Sequence, residues 1–309
     1  MNIINKAKTR KRKGWIAAVG FFDGVHAGHR YFIREMQQIA SERKLATAIF
    51  TFRDHPRSVV QEGFKPKLLN SLDEKLKQLA TTAIDYCVLM DFTQEFAAYS
   101  ARDFIVKILS EQWLVHSLLI GYDHRFGHNR SDGFDEYVKY GKSCGMDILQ
   151  VSSYNRNEKA VSSSQIRQLL SECRVEEAAK LLTYPYRLKG HVVSGLHYGR
   201  ILGFPTANIK VDDPLKIHPG MGVYAVWVYV VNEQYKGMLT IGNRPTLSGE
   251  EVTIEVHVLH FSRSIYRYNI EVEFMYYLRD NIKFDNPEAL KVQLKKDRQR
   301  VEELLTVNH

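Results

Sequence analysis

Two histidines three residues apart, His26 and His29, end a glycine-flanked segment that reads Gly20-Phe21-Phe22-Asp23-Gly24-Val25-His26-Ala27-Gly28-His29. A short apolar run precedes it and a helix-like pattern follows, so the segment reads as a strand-to-helix turn. Such a turn aims free backbone N–H groups and the positive end of a helix dipole at one point, where an anion can dock. With Gly28 between them, both imidazoles can face the same phosphate oxygens. There they donate hydrogen bonds and, when protonated, balance charge that develops on a departing phosphate group. The residue types leave two plainer readings open, a loop histidine pair or half of a zinc site. Zinc is disfavoured because no Cys and no further His stands nearby at ligand spacing.

Four other segments carry candidate chemistry. Ser162-Ser163-Ser164-Gln165-Ile166-Arg167 opens a helix, and its serines are either N-caps or phosphate ligands with Arg167 holding charge. Gly121-Tyr122-Asp123-His124-Arg125-Phe126-Gly127 is a polar loop directly after an apolar run. The stretch from Gly195 to Asn208 is rich in glycine, including Gly199 and Gly203, and ends in Thr206-Ala207-Asn208. Glycine lets backbone approach phosphate closely, although turn chemistry explains it equally well. Thr206 and Asn208 alternate, so in an extended segment both face the same way, and their oxygens are hard ligands suited to Mg²⁺. In Thr253–Leu259, Ile254, Val256 and Val258 share one face while Glu255 and His257 share the other. Glu255 is then either a solvated strand residue or a general base.

The elements that must position these residues follow from periodicity. Strands are expected at Trp15–Gly20, Ala46–Phe52, Asp85–Met90, His116–Gly121 and Met146–Val151, with helices at Arg30–Arg43, from Ser71 to about Thr81, at Ser100–Gln112 and at Phe134–Ser143. Ser71 with Glu74 three residues on is a capping box, and Asp103 stands at the third position after Ser100. Short apolar runs separated by helices imply a doubly wound, Rossmann-like α/β sheet, in which ligands bind outside the carboxyl ends of the strands. After Thr183 the pattern changes to short strands: His191–Ser194, Gly222–Val231, Lys236–Ile241, Thr253–His260 and Asn269–Tyr277. A helix from about Asn286 or Pro287 to Leu305 follows. A small antiparallel β-barrel with a terminal helix fits best. The expected domains are 1–183, with a basic arm at 1–13, and 184–309.

At 309 residues, 44% apolar and 25% charged, the chain has the composition of two globular domains and not that of a disordered, collagen-like or disulfide-stapled chain. Its net charge of +8 raises nucleic acid as a partner, but Lys6, Lys8, Arg10, Lys11, Arg12 and Lys13 supply six of those charges. The remainder is nearly neutral, and a lone charge run reads first as a solvated arm, which argues against nucleic acid. Three widely spaced cysteines (Cys87, Cys144, Cys173), no apolar run long enough to span a bilayer and no signal-peptide core point to a cytoplasmic setting.

Taken together, the segments of the first half resemble the nucleotidyltransferase superfamily. More closely, they resemble the FMN adenylyltransferase half of the bifunctional bacterial riboflavin kinase/FAD synthetase family. The likeness rests on G-x-F-D-G-x-H-x-G-H (Gly20–His29), T-F-x-x-H-P (Thr51–Pro56), G-Y-D-x-R-F-G (Gly121–Gly127) and S-S-x-x-I-R (Ser163–Arg167). In the second half G-R-x-L-G-F-P-T-A-N (Gly199–Asn208), G-V-Y-A-V (Gly222–Val226), I-G-x-R-P-T (Ile241–Thr246) and E-x-H-x-L-x-F (Glu255–Phe261) are similar to bacterial riboflavin kinase, in its order. Departures stand at Phe21 (usually Asn or Thr), Asp54 (usually Pro), Thr240 (usually Asn), Arg267 (usually Gly), Asn281 (usually Glu) and Glu302 (often Arg).

The resemblance implies two ATP-dependent reactions. In one, the FMN phosphate attacks the α-phosphorus of ATP and pyrophosphate leaves, giving FAD. His26, His29 and Arg167 are the implied catalytic residues. Gly20, Phe22, Asp23, Gly28, Asp123, Ser163 and Ser164 are implied for the nucleotide, and His55, Pro56 and Arg125 for the flavin. In the other, the γ-phosphoryl group passes to the ribityl hydroxyl of riboflavin. There Gly199, Gly203, Thr206 and Asn208 would hold nucleotide, Thr206 and Asn208 also Mg²⁺, and Glu255 would be the base. The alternative is a monofunctional FMN adenylyltransferase whose barrel only binds flavin. The partners implied are small-molecule substrates; the oligomeric state is not legible.

Overall fold

Five of the apolar runs become strands whose neighbouring residues point to opposite sides. The computed structural model describes every residue except 6–13, 123–124, 129–130, 152–154, 157–158, 196–197, 247–248 and 307–309. Strands β1 (Asn2–Ile4), β2 (Trp15–Val19), β3 (Ala46–Phe52), β4 (Tyr86–Met90), β5 (Val115–Gly121) and β6 (Asp147–Val151) form one sheet in the order β1-β4-β3-β2-β5-β6. All pairings in it are parallel. Trp15, Ala17, Ala48, Phe50, Leu118 and Ile120 enter the core on one face. Their neighbours Ile16, Ala18, Ile49 and Leu119 enter the core on the other. Both faces are therefore covered, which is why these strands read as continuous apolar runs.

The main helices of this half are α1 (Ala27–Arg43), α2 (Leu72–Ala80) and α3 (Phe134–Ser143). The expected capping box at the start of α2 is present, with Ser71 N–H donating to Glu74 and Glu74 N–H donating to Ser71. Two features differ from the periodicity reading. Strand β1 was not legible, because three residues carry no period. The helix expected over Ser100–Gln112 makes one α-turn at Ala101–Asp103 and then widens into a π-helix over Phe104–Gln112. Its buried residues Phe104, Ile105 and Leu109 are spaced four and five apart, a spacing the wider turn brings to one side better than 3.6 does.

Strands β7 (Tyr186–Val193), β8 (Ala207–Val211), β9 (Gly222–Val230), β10 (Glu233–Thr246), β11 (Gly249–Val258) and β12 (Asn269–Arg279) close into an antiparallel barrel ordered β8-β11-β10-β9-β12-β7. The first strand begins five residues before the expected start, at Tyr186. Its inward residues Tyr186, Leu188, Gly190 and Val192 alternate with Arg187, Lys189 and His191, and those charges hide the strand from an apolar count. The terminal helix, Pro287–Leu304, starts at an Asn286 cap with proline in its first turn, as expected. Its Val301 packs with Leu305 against Val223, Ala225 and Met238 of the barrel. Arg279 of β12 donates to the buried Asp297 on that helix at 2.7 and 3.1 Å.

By contacts between residues the chain separates into two units, Met1–Ser163 and Ser164–His309. Helices α4 (Ser163–Ser171) and α5 (Val175–Leu182) are counted almost wholly with the second, where α5 packs on β12 and β7.

Candidate functional site

In the first unit the chain runs from β2 out to β3 and β4 on one side, then crosses to β5 and β6 on the other. The carboxyl ends of β2 and β5 are therefore the switch point of the sheet, where a ligand crevice forms in open α/β folds. The Gly20–His29 turn follows β2 and the Gly121–Gly127 loop follows β5. Gly20 N–H donates to the Phe50 carbonyl at 3.0 Å, and the Thr51 hydroxyl donates to the Phe21 carbonyl at 3.1 Å, which fastens the turn to β3. Phe22 (φ 54°) and Val25 (φ 38°) lie in the left-handed region, as does Gly24 at 81°. That backbone is strained for a β-branched valine, and the burial of both Phe22 and Val25 in the core offsets the strain.

His26 is buried and caps α1: its Nδ1 accepts from His29 N–H at 3.4 Å. With Nδ1 an acceptor, a neutral ring carries its proton on Nε2. The His29 ring stacks on it, with centres 3.7 Å apart. Burial, and secondarily the neighbouring His26, holds His29 well below the ordinary histidine value of 6.5, so it is neutral at pH 7. Its Nδ1 is a buried atom with no hydrogen-bond partner. Gly28 has a packing reason as well: a Cβ there would come within 3.2 Å of the His26 ring and 3.3 Å of the Val161 carbonyl. Asp23 is buried, and its carboxylate accepts from the N–H groups of Leu69 and Asn70 at 3.1 Å. The Ser163 hydroxyl donates to the Asp23 carbonyl at 2.9 Å, joining residues 140 apart in sequence. Ser164 and Arg167 follow on the same helix. Asp123 lies outside the described residues.

Beside the turn is a cavity of about 280 Å³ with an aromatic lining. His55, Pro56 and Arg125 line it, as does Gly20. Sequence reasoning missed seven rings of its wall: Phe21, Phe52, Phe92, Phe96, Tyr99, Phe104 and Phe126. His55 caps a short helix at Pro56, its Nδ1 accepting from Arg57 N–H at 3.2 Å, and meets Phe21 edge-on. Lys75 was also missed, and a signal for it exists. It stands in the apolar stripe Leu72, Lys75, Leu76, Leu79 at helical spacing, so it must face the sheet.

In the second unit, β8 and β11 pair with Asn208 opposite Glu255. The Thr206 hydroxyl donates to Oε2 of the half-buried Glu255 at 2.9 Å. His257 is buried, donates from Nδ1 to the Pro205 carbonyl at 2.8 Å and meets the Phe204 ring, which fixes the segment leading into Thr206. Burial lowers its pKa. Gly195 permits the loop to lie on Asn208, since a Cβ would stand 2.1 Å from the amide nitrogen. The Gly199 carbonyl accepts from Phe204 N–H at 2.8 Å, and Gly203 takes φ 82°, so both glycines shape the turn. A cavity of about 450 Å³ opens beside Thr206, Ala207 and Val256. Among the described residues no three His, Cys, Asp or Glu cluster as metal ligands. The hydroxyl of Thr206 and the amide of Asn208 do fit Mg²⁺: with its O–H hydrogen-bonded to Glu255, the Thr206 oxygen keeps lone pairs for a hard cation.

A parallel sheet with a strained histidine turn at its switch point, followed by a closed barrel with a hydroxyl–carboxylate pair, defines a two-unit protein of nucleotidyltransferase and flavokinase type. The family model for FAD synthetase matches residues 8–165, and that for riboflavin kinase matches residues 182–305. The chain belongs to the bifunctional riboflavin kinase/FMN adenylyltransferase family. It is 36% identical to the protein of that name from Listeria monocytogenes, over 92% of this chain and 90% of that one. To the Escherichia coli protein it is 33% identical, over 95% and 94%. A solved Streptococcus pneumoniae structure, described as a macrolide-efflux protein, matches with a TM-score of 0.86 and 28% identity over 97% of this chain and 98% of that chain. Among the described residues no helix is long and apolar enough to cross a membrane.

Proposed function

We propose that this chain makes FMN from riboflavin and FAD from FMN, using ATP in both reactions. The observation that carries this reading is that both family regions are present, in order, in a chain aligned with its bifunctional relatives over nine-tenths of their length.

In the adenylyl transfer, the FMN phosphate is already ionised, so no enzyme nucleophile is needed and the chain supplies position and charge. His26 donates from Nε2 to the triphosphate while its other nitrogen holds the helix start. His29, neutral when the site is empty, gains a proton as the triphosphate's charge arrives beside it. The strained turn Gly20, Phe22, Asp23, Gly28 presents backbone to the nucleotide, and Ser163 ties it in place. The family pattern gives Asp123 to the nucleotide and Ser164 and Arg167 to the pyrophosphate. The aromatic cavity, with His55, Pro56 and Arg125 at its wall, takes the isoalloxazine, a large flat ring that stacks on such surfaces.

In the phosphoryl transfer, Glu255 accepts the proton of the ribityl hydroxyl as it attacks the γ-phosphorus of ATP. Thr206 orients Glu255, and Thr206 with Asn208 would hold Mg²⁺, which when bound neutralises charge on the phosphates. Gly199 and Gly203 give the loop the close approach that phosphates require. The division of labour follows 1–183 and 184–309, and free cysteines fit a reducing cytoplasm. Feeding riboflavin and FMN separately with Mg·ATP tests the reading through the products formed.

A further inference from the structure

Lys75 projects from the middle of α2 toward the sheet and is 2% exposed. Its ammonium donates to the Phe52 carbonyl at 2.8 Å and stands 4.0 Å from the centre of the Phe21 ring. Phe52 ends β3, Phe21 follows β2, and both line the aromatic cavity. Phe52 in turn meets Phe92 and Phe96 edge-on. One ammonium thus joins the two strand ends from which the cavity wall is built. The groups facing it are Asp23 in the turn after β2, Asp54 just after β3, and Cys87 on β4. Burial pushes the Cys87 thiol up to about 11, so it stays neutral. Asp23 is already committed to the N–H groups of Leu69 and Asn70. Burial lowers Lys75 to about 8, with the two carboxylates opposing that shift only in part. A charge kept at a cost to folding, beside a cavity of ligand size, points to the cavity and away from packing as its purpose.

We propose that Lys75 is the positioning residue of the flavin cavity: its ammonium holds the Phe21 ring and the Phe52 backbone in register, and so sets the affinity for FMN without touching the reacting phosphates. This rests on the reading that the aromatic cavity takes the flavin. Stability and function then respond to pH with opposite signs. As pH rises through about 8 the folded lysine discharges and the hold on Phe21 is lost. Over the same range the unfolded lysine still binds its proton, up to the ordinary 10.5, so the fold gains stability.

The experiment measures KM for FMN, kcat for adenylyl transfer and Tm between pH 6.5 and 9.5 for wild type, Lys75→Met, Phe21→Leu and Phe96→Leu. Loss of a buried cation–π and hydrogen-bond anchor predicts that Lys75→Met raises KM for FMN roughly tenfold with kcat within about twofold. Its Tm at pH 7 is unchanged or higher. The wild-type KM rises above about pH 8, whereas that of Lys75→Met is flat. A purely structural lysine would instead lower Tm and kcat together and leave the pH profile alone, which overturns the proposal. If Lys75→Met does not fold, Phe21→Leu carries the test: it keeps the ammonium and removes its ring, and an unchanged KM and pH profile contradict the proposal. Phe96→Leu separates the two levels of the account. If it raises KM for FMN while Lys75→Met does not, the cavity holds flavin and Lys75 is not its positioning residue. If neither changes KM, the flavin reading of the cavity itself fails.

Discussion

In the proposed site, His26 serves structure and chemistry through different atoms. Nδ1 caps α1, and Nε2 is the atom proposed to donate to the phosphates. Asparagine also caps helices but has no ring donor to reach the phosphates. We therefore expect His26→Asn to keep Tm within a few degrees and to lower FAD formation by about 100-fold, as removal of one oxyanion donor does. His26→Ala should lower both. For His29 the sign with pH is set by its lowered pKa. The unfolded histidine gains a proton as pH falls through 6.5 while the folded one does not, so stability drops below that pH. His29→Gln should flatten that acid limb in urea titrations at pH 5 to 7; an unchanged slope would contradict the assignment. In the barrel, Glu255→Gln should lower riboflavin phosphorylation by 10²-fold or more, a loss typical of a missing general base, and spare adenylylation of FMN. Loss of both activities would contradict separate sites. At this scale the histidine pair, the serines, Thr206, Asn208 and Glu255 were legible because motifs and alternation name residues. The Thr206–Glu255 bond and the Phe21–Lys75 contact were not, because each joins residues about fifty positions apart.

Elements were legible where a period or a cap is written locally. The Ser71–Glu74 box and the Asn286-Pro287 start of the last helix are side chains bonding to their own backbone, so sequence spacing suffices to find them. The π-helix at Phe104 and the start of β7 at Tyr186 depend on what each segment packs against. The same holds for the aromatic cavity, whose rings come from five separate segments that only the parallel sheet brings together. The Arg279–Asp297 pair is the clearest energetic consequence at this scale. It links β12 to the terminal helix with 17% and 5% side-chain exposure, and Gln293 donates to the same carboxylate at 2.8 Å. Asp297→Ala would leave a half-buried guanidinium without its carboxylate and should destabilise the barrel by about 2 kcal/mol, measured by chemical denaturation. The double variant Arg279→Met, Asp297→Leu should recover most of that loss; a loss as large as that of the single variant would contradict the pairing argument.

For the molecule as a whole, where the charge sits says more than its sum. The basic run at 6–13 supplies most of the +8, whereas the devices proposed for phosphate binding are local: a helix start, two histidines, Arg167 and a metal. Two such devices on two folds support two phosphate-transfer reactions joined by a shared intermediate, the FMN that one makes and the other consumes. Product analysis after separate feeding is the most direct measurement. Purified chain with Mg·ATP should convert riboflavin to FMN and then FAD, and should convert FMN to FAD with release of pyrophosphate. FAD from FMN but no product from riboflavin would reduce the barrel to a binding module, and no FAD from FMN would contradict the assignment of the first half.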